Sequence, residues 1–539
     1  MTPLQTGAAL CDYFQAVLPE GACDDSPGRC AGYARTTLPG EVRPACVLYP
    51  ASTAEVERVV AVANAHQIPL YPLSRGKNWG YGDACAPAEG MAIVDLSRMN
   101  RILELNTEYG YVRIEPGVSQ GELHDYIAQH APGYWLDCTG AGPDASIAGN
   151  TLERGFGHTA YADHLRTSCN FEVVLGTGVR ISTGFGHFGN AVAANLFPYG
   201  LGPSLDGVFT QSNFGIVTAL TVWLLPRPQA FRSFYIKVKE ERHLAEIVER
   251  LRPLRMQGIL NSAVHIGNDI RVFTSQQQYP WMEAAGKTPL PLALRRQLRD
   301  ASRLGAWNIT GSIMGSRAQV RAAARELKAA MRAVGFTLFV TDARLDWGDA
   351  LARAISWLPV GRALARNLEA LRPNYGLLKG IPTTFPLKSL QWRLREPGGS
   401  LDPLETRCGL MWVAPVLPLS GAHAEAVLRL VEPIFTRHGF DLPVTFTLLN
   451  DRSMVAVMNI SFDKRVEEEG AAAAQCYEEA QQALRAAGYY PYRAGIQAMP
   501  SLWENSAPYA GVLTSLKQAF DPNGIIAPGR YVPSATDAD

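Results

Sequence analysis

The residues best suited to chemistry in the first part of the chain form the run Pro72-Leu73-Ser74-Arg75-Gly76-Lys77-Asn78-Trp79-Gly80-Tyr81-Gly82-Asp83. Three glycines fall within the seven residues from Gly76 to Gly82, behind an apolar, strand-like stretch ending at Tyr71. Glycine permits positive φ and close backbone approach, so such a loop can aim several N–H groups at one anion. A diphosphate is the natural guest. Taken alone the run reads as an ordinary glycine-rich turn; its meaning depends on the rest of the chain.

The elements that would position this loop change character along the sequence. The first 227 residues alternate short β-rich runs with amphipathic helices. Ala54 to Ala65 reads as a helix with Val56, Val59, Val60 and Val62 on its apolar face and Ser52 or Thr53 as its cap. Strand-like runs follow at Ala92–Leu96, Tyr111–Glu115 and Phe171–Leu175, and Gly176-Thr177-Gly178 before Val179-Arg180-Ile181-Ser182 signals a hairpin. Gly215 to Leu225 reads as a long strand closed by Pro226 and Pro228, a plausible domain boundary. Longer helices come next, at His243–Leu251, Arg317–Val334 (capped by Ser316), Ala350–Leu371, Ala422–His438 and Val466–Ala487. They are interleaved with β-like runs such as Val444–Leu449 and Met454–Phe462, an α+β pattern.

Composition removes several classes of function. A chain of 539 residues implies two or three domains. Lys+Arg and Asp+Glu both number 50, and without a polybasic tract nothing supports nucleic-acid or anionic-membrane binding. No apolar run approaches the ~20 residues of a membrane span, and Met1 to Ala16 lack the pattern of a signal peptide. A cytoplasmic address is therefore the expectation. The nine cysteines are odd in number and lack zinc-ligand spacing, so reduced thiols are expected, and the ten histidines form no metal motif.

Two further segments complete a pattern with the glycine loop. One is Ser146-Ile147-Ala148-Gly149-Asn150-Thr151-Leu152-Glu153-Arg154-Gly155-Phe156-Gly157-His158-Thr159; the other is Gly215-Ile216-Val217-Thr218. At these residues the chain resembles the vanillyl-alcohol oxidase and 4-cresol dehydrogenase family of flavoproteins. The likeness continues through Asp95-Leu96-Ser97-Arg98-Met99-Asn100-Arg101-Ile102, Val112-Arg113-Ile114-Glu115-Pro116-Gly117-Val118, Leu251-Arg252-Pro253-Leu254-Arg255-Met256, Trp307-Asn308 and Met411-Trp412-Val413-Ala414-Pro415-Val416. It ends on Asp521-Pro522-Asn523-Gly524-Ile525-Ile526-Ala527-Pro528-Gly529. Each motif is weak, but their order and spacing together are specific. Rossmann and P-loop readings fail, because no Gly-x-Gly-x-x-Gly opens a βαβ unit and no Gly-Lys-Ser/Thr occurs.

The resemblance implies an α+β fold: a two-subdomain FAD-binding domain under an α+β cap domain. Residues 1–43 would be an N-terminal arm, 44–227 the FAD-binding domain, 228–499 the cap, and 500–539 a segment returning to the FAD domain. It implies FAD contacts from Ser74, Arg75, Gly76, Lys77, Asn78, Gly80 and Gly82 around the diphosphate. Ser146, Gly149, Asn150, Gly155, Gly157, Ile216 and Val217 would also contact the cofactor. Arg530 would sit near the flavin N1–C2 carbonyl, where positive charge raises electron affinity. Tyr81, Tyr492 and Arg493 match the trio that binds the phenolic oxygen in members acting on 4-alkylphenols. Hydride leaves the benzylic carbon readily when that oxygen is ionised. A phenol of pKa ~10 must then fall by roughly three units, or about 4 kcal/mol, to ionise near pH 7; a guanidinium and two phenol donors could supply it. The implied chemistry is hydride transfer to flavin N5 through a p-quinone methide, giving a hydroxylated, desaturated or carbonyl product.

The chain also departs from the family. The histidine position of the covalent flavin link holds Leu410, no tyrosine lies between Tyr375 and Cys408, and Lys388–Thr406 looks like an insertion. Non-covalent FAD is the expectation, with Cys408 a small buried residue. Ala141 stands where oxidase-like members carry an aspartate, with Asp137 and Asp144 nearby, and an acidic cap residue is replaced near Pro386. His158 and His187 read as packed or hydrogen-bonded histidines, and Glu153 and Arg154 as makers of local salt-bridge or capping contacts. Two other readings remain open: a 2-hydroxy acid or alcohol dehydrogenase on the same fold, and a flavin electron-transfer subunit that docks a cytochrome c. Oxygen, cytochrome c or another acceptor would take the electrons, and a homodimer fits the family.

Overall fold

The computed structural model describes residues 7–396, 398–503 and 506–532. The glycine-rich loop leaves the end of the strand Leu70–Leu73, which lies parallel to Ala92–Asp95. Ala92–Asp95 pairs in parallel with Cys46–Leu48, and an antiparallel Cys23–Asp24 completes a four-stranded sheet. These strands are near-continuous apolar runs because both faces are covered; Leu48, Leu70, Ile93 and Val94 are fully buried. The helix Thr53–His66 puts Val56, Val59, Val60 and Ala63 into the same core. Ser52 caps it by accepting from Glu55 N, and Gln67 ends it in a left-handed conformation. The chain's end returns here too: Leu70 N donates to Ile525 O (2.7 Å) and Ala527 N to Leu70 O (2.7 Å), setting Ile526 beside the strand that feeds the loop.

A second, five-stranded antiparallel sheet follows the order Ile102–Asn106, Tyr111–Ile114, Gly215–Trp223, Ser168–Leu175, Arg180–Ser182. Its last pair is the expected hairpin, with Glu172 opposite Ser182 and Gly178 at φ 86° in the turn.

The third sheet has eight strands and sits over the other two. Its main path runs Phe336–Val340, Ala230–Val238, Trp307–Gly315, Val264–Asn268, Val444–Leu448, Ser453–Asp463, Cys408–Val413. Four helices, Leu244–Met256, Arg317–Met331, Gly421–Arg437 and Glu467–Ala486, share one core with Phe234, Ile236, Val264, Ile266, Phe446 and Met458. Strand side chains alternate between faces, so Tyr235, His265, Gly267, Thr445 and Val457 face the opposite way, into a cavity.

Two expectations are corrected. The single helix expected over Ala350–Leu371 is two, Asp342–Ala354 and Pro359–Leu377. Pro359 suits the first turn of the second helix, where its missing N–H is not needed, and it holds the preceding Leu358 extended at φ −87°, ψ 147°. Nor are all the thiols reduced: Cys11 and Cys23 form a disulfide with Cα atoms 6.0 Å apart, because the helix Gly7–Gln15 packs on the strand Cys23–Asp24. The other seven cysteines are free and buried. Among the described residues, no helix is long and apolar enough to cross a membrane.

The loop is fastened from below by Asp83. Its buried carboxylate accepts from Thr37 N (2.5 Å), Thr36 Oγ1 (2.7 Å) and Thr37 Oγ1 (2.9 Å), and Thr37 Oγ1 accepts from Gly80 N (2.8 Å). Burial raises this carboxyl to about 6 against those donors, so its contribution to stability falls as pH rises through that value. Asp83→Ala, which strands three buried donors, is expected to lower the unfolding free energy at pH 7 by about 2–4 kcal/mol. Asp83→Asn keeps an acceptor without the buried charge and should cost less than half as much. Urea unfolding of the two variants checks this; equal losses would refute it.

Candidate active site

A cavity of about 1730 Å³ opens where the polar face of the eight-stranded sheet meets the other two sheets. Ordinary ligand sites occupy ~300–1,000 Å³, so it has room for a dinucleotide and a second molecule. Ser74, Arg75, Gly76, Lys77, Asn78 and Tyr81 line it from the loop. Ser146, Gly149, Asn150 and Gly155 line it from the second segment, and Ile216 and Val217 from the strand Gly215–Trp223. Tyr492, Arg493 and Arg530 close the wall. Gly80, Gly82 and Gly157 do not line it. A Cβ on Gly80 would meet Trp412 at 2.4 Å, one on Gly82 would meet Ile496 at 3.0 Å, and one on Gly157 would meet the Asp137 carboxylate at 2.1 Å. These three glycines allow close packing away from the cavity.

The loop suits an anionic cofactor. Gly76 has φ +64°, and among the described residues no protein group accepts from the backbone N–H groups of residues 74–78. Opposite them, a Cβ on Gly149 would lie 2.5 Å from Ser74 Oγ, so any larger residue would crowd the cradle. The loop's cationic side chains are already engaged: Arg75 donates to Gly117 O (3.1 Å) and Lys77 Nζ lies 2.9 Å from Asp402. The run expected as an insertion therefore folds over the loop.

Tyr81, Tyr492 and Arg493 come together. The Arg493 guanidinium lies 4.0 Å from the centroid of the Tyr81 ring, and the Tyr492 ring is 5.6 Å from Phe156. Burial first, then the neighbouring Tyr492, pushes the Tyr81 hydroxyl well above its ordinary value. It stays protonated and can donate.

Glu153 does more than the local contacts expected of it. Ending the helix Ile147–Leu152, its buried carboxylate accepts from Arg530, lies 3.4 Å from Arg493 and accepts from Tyr531 Oη (2.7 Å). Burial disfavours its charge, yet Arg530 and Arg493 outweigh burial and hold the carboxyl below its ordinary range. Arg530 also donates to Tyr71 Oη (2.5 Å), and Arg493 to Asn78 Oδ1. Two guanidiniums against one carboxylate leave a net positive charge beside the tyrosines.

Other candidates separate. Ala141 and Pro386 line the cavity; Asp144 is exposed and Asp137 accepts from His158 N (3.0 Å) and Thr159 N (3.0 Å) outside it. Among the described residues the carboxylates lining the cavity are Asp83, Glu153 and Glu369. Cys408 is buried outside it with Sγ donating to Leu390 O (2.8 Å), and burial pushes its thiol up. Tyr375 donates to Asp342 (3.0 Å). His187 is exposed, whereas His158 lines the cavity with Nδ1 3.0 Å from His265 Nε2. His265, like Glu153, lies outside the sequence-derived site. Its only sequence signal is a polar residue between Val264 and Ile266 in a strand.

Comparison with known proteins bears on the fold and the cofactor. The FAD binding domain family model matches residues 44–184. A 1'-carboxy-chondrochloren decarboxylase from Chondromyces crocatus is 39% identical over 488 residues, covering 90% of each chain. The 4-cresol dehydrogenase flavoprotein subunit of Pseudomonas putida is 29% identical over 90% of this chain and 87% of its own. A solved p-cresol methylhydroxylase with substrate bound superposes with a TM-score of 0.88 at 26% identity, over 99% of this chain and 98% of the other. Fold and site thus define an FAD-dependent oxidoreductase. The chain belongs to the vanillyl-alcohol oxidase and 4-cresol dehydrogenase family of flavoproteins.

Removing the central carboxylate tests the cluster. Glu153→Gln leaves two buried guanidiniums without their countercharge and is expected to cost about 3–5 kcal/mol of unfolding free energy at pH 7. Because the folded-state carboxyl lies below its ordinary 4.5, the ionised form contributes above that value and its contribution is lost as pH falls through the folded pKa. Denaturant unfolding should therefore show the gap between wild type and variant closing below about pH 4.5. A gap independent of pH would contradict the assignment.

Proposed function

We propose that the protein oxidises a para-substituted phenol at its benzylic carbon, through a p-quinone methide, with FAD as electron acceptor. The observation that carries this reading is the meeting of Tyr81, Tyr492 and Arg493 on one cavity wall. Tyr81 and Tyr492 donate hydrogen bonds to the phenolic oxygen, and the net positive charge of Arg493, Arg530 and Glu153 favours its ionised form. Residues 74–78 hold the diphosphate, with Gly149, Asn150, Gly155, Ile216 and Val217 around the cofactor and Arg530 offering positive charge to the ring. Bound FAD supplies a two-electron acceptor for the hydride. We assign residues 44–227 and 500–539 to cofactor binding and 228–499 to the substrate cap; of these, 397, 504–505 and 533–539 lie outside the described residues. FAD is held without a covalent link, since Cys408 and Tyr375 lie outside the cavity and Leu410 carries no nucleophile.

How the quinone methide is discharged is set by what surrounds it. Ala141 and Pro386 provide no base to steer water, which disfavours hydroxylation. Loss of a side-chain proton gives an alkene. The name of the Chondromyces crocatus relative favours a further outcome, loss of a side-chain carboxylate. In that step the bond to the carboxylate carbon breaks, its electron pair forms the new double bond, the ring returns to a phenolate and CO2 leaves.

Anaerobic titration with a panel of 4-alkylphenols is expected to bleach the flavin absorbance, and admission of air then reports whether oxygen is the acceptor. A Tyr492→Phe/Arg493→Ala variant should keep FAD and lose at least about 100-fold in bleaching rate, or ~3 kcal/mol. Unchanged turnover in that variant would refute the phenol site. On acid precipitation the yellow colour should stay in the supernatant; colour in the pellet would refute non-covalent binding.

A further inference from the structure

Arg271 is a cation without a carboxylate. It stands on the helix Asp269–Gln276, which continues the cap strand Val264–Asn268, and it lines the same cavity as the tyrosine–arginine wall. Among the described residues its guanidinium makes one hydrogen bond, to Thr274 Oγ1 at 3.3 Å, and no salt bridge. The nearby Asp269 is already held by Arg295 (2.6 Å) and Arg299 (3.4 Å). Burial lowers Arg271 only to about 10, so it is charged at neutral pH. A half-buried, charged guanidinium that faces a cavity and that the fold leaves unpaired still has most of its donors free for a ligand that supplies the counterion.

Its neighbours narrow the ligand. Burial first, then the charge of Arg271 among others, lowers His158 to about 4 and His265 well below its ordinary value, so both histidines are neutral. Asp137 is the carboxylate whose charge bears on His158, and it lies outside the cavity. Arg271 is the cation whose charge bears on both histidines. The path from the phenol site is short. Phe156 packs on Tyr492, and two residues later His158 meets His265, roughly 6–7 Å of chain. The phenol wall and the two histidines are thus neighbours in one cavity.

We infer that Arg271 binds a carboxylate carried on the para side chain of the substrate, with His158 and His265 as neutral polar neighbours. The inference rests on the phenol reading above and makes the substrate class a 4-hydroxyphenyl compound with an acidic side chain. Such a ligand has an anion at each end, one for each cationic pole of the cavity. The guanidinium binds a planar carboxylate through two parallel N–H groups.

A matched pair of ligands without benzylic hydrogens separates binding from turnover: 3-(4-hydroxyphenyl)-3-methylbutanoate and 4-tert-pentylphenol. Calorimetric titration of the FAD-loaded protein is expected to show the acid binding at least about tenfold tighter than the phenol. Arg271→Gln should weaken the acid at least about tenfold while changing 4-tert-pentylphenol less than about twofold, and Arg271→Lys should recover part of the loss. If the acid gains nothing over the phenol in the wild type, or the variant weakens both alike, the inference is overturned while the phenol site stands. Binding of neither ligand by the wild type would overturn both.

Discussion

The contact on which the site depends is the buried ion cluster of Glu153 with Arg493 and Arg530. Its members come from three parts of the chain: the end of the helix Ile147–Leu152, the segment after the helix Glu467–Ala486, and the turn that follows the helix Ala507–Phe520. A buried charge is tolerable only when paired and hydrogen-bonded. The cluster can therefore form only when all three parts are docked, and docking them closes the cavity wall. Tyr531 and Tyr71 satisfy remaining valences, and Asn78 carries the arrangement into the cofactor loop. Imbalance is part of the design. One carboxylate cannot neutralise two guanidiniums, and the surplus charge is available to an oxyanion.

A second constraint is the two-residue period of the strands in the eight-stranded sheet. Phe234, Ile236, Val264 and Ile266 face the helices and form a continuous core, and each buried aliphatic or aromatic side chain contributes on the order of 1.5–3 kcal/mol. The intervening residues must then face the cavity. Polar and small side chains at Tyr235, His265, Gly267 and Thr445 are affordable there because the helix-facing residues already hold the sheet. A one-residue slip would exchange the two sets and destroy core and cavity together.

Much of this was legible in the sequence, for local reasons. Gly76 and Gly149 sit where a turn or a close approach requires glycine, and short-range patterning locates the helix Thr53–His66 and the Glu172–Ser182 hairpin. What escaped was non-local. Gly80 and Gly82 look like Gly76 in sequence, yet their missing side chains make room for Trp412 and Ile496, over 300 residues away. Glu153 and Arg530 stand 377 residues apart, so no spacing rule could link them. The Cys11–Cys23 pairing likewise depends on how a helix packs against a strand, which a count of cysteines does not contain.

Electrostatics also limit which chemistry the cavity can host. One pole is the net-positive cluster around Tyr81 and Tyr492, the other is Arg271, and Phe156, His158 and His265 lie between them without charge. With His158 near 4 and His265 well below its ordinary value, neither histidine is a proton donor of useful strength at neutral pH, and Ala141 and Pro386 supply no base. Adding water to a quinone methide there would proceed without proton management. In the proposed decarboxylation none is needed: the departing bond would supply the electrons that rearomatise the ring, and the regenerated phenolate would still face the positive cluster. Under the proposed chemistry, the residues missing from this wall direct the intermediate as much as the residues present.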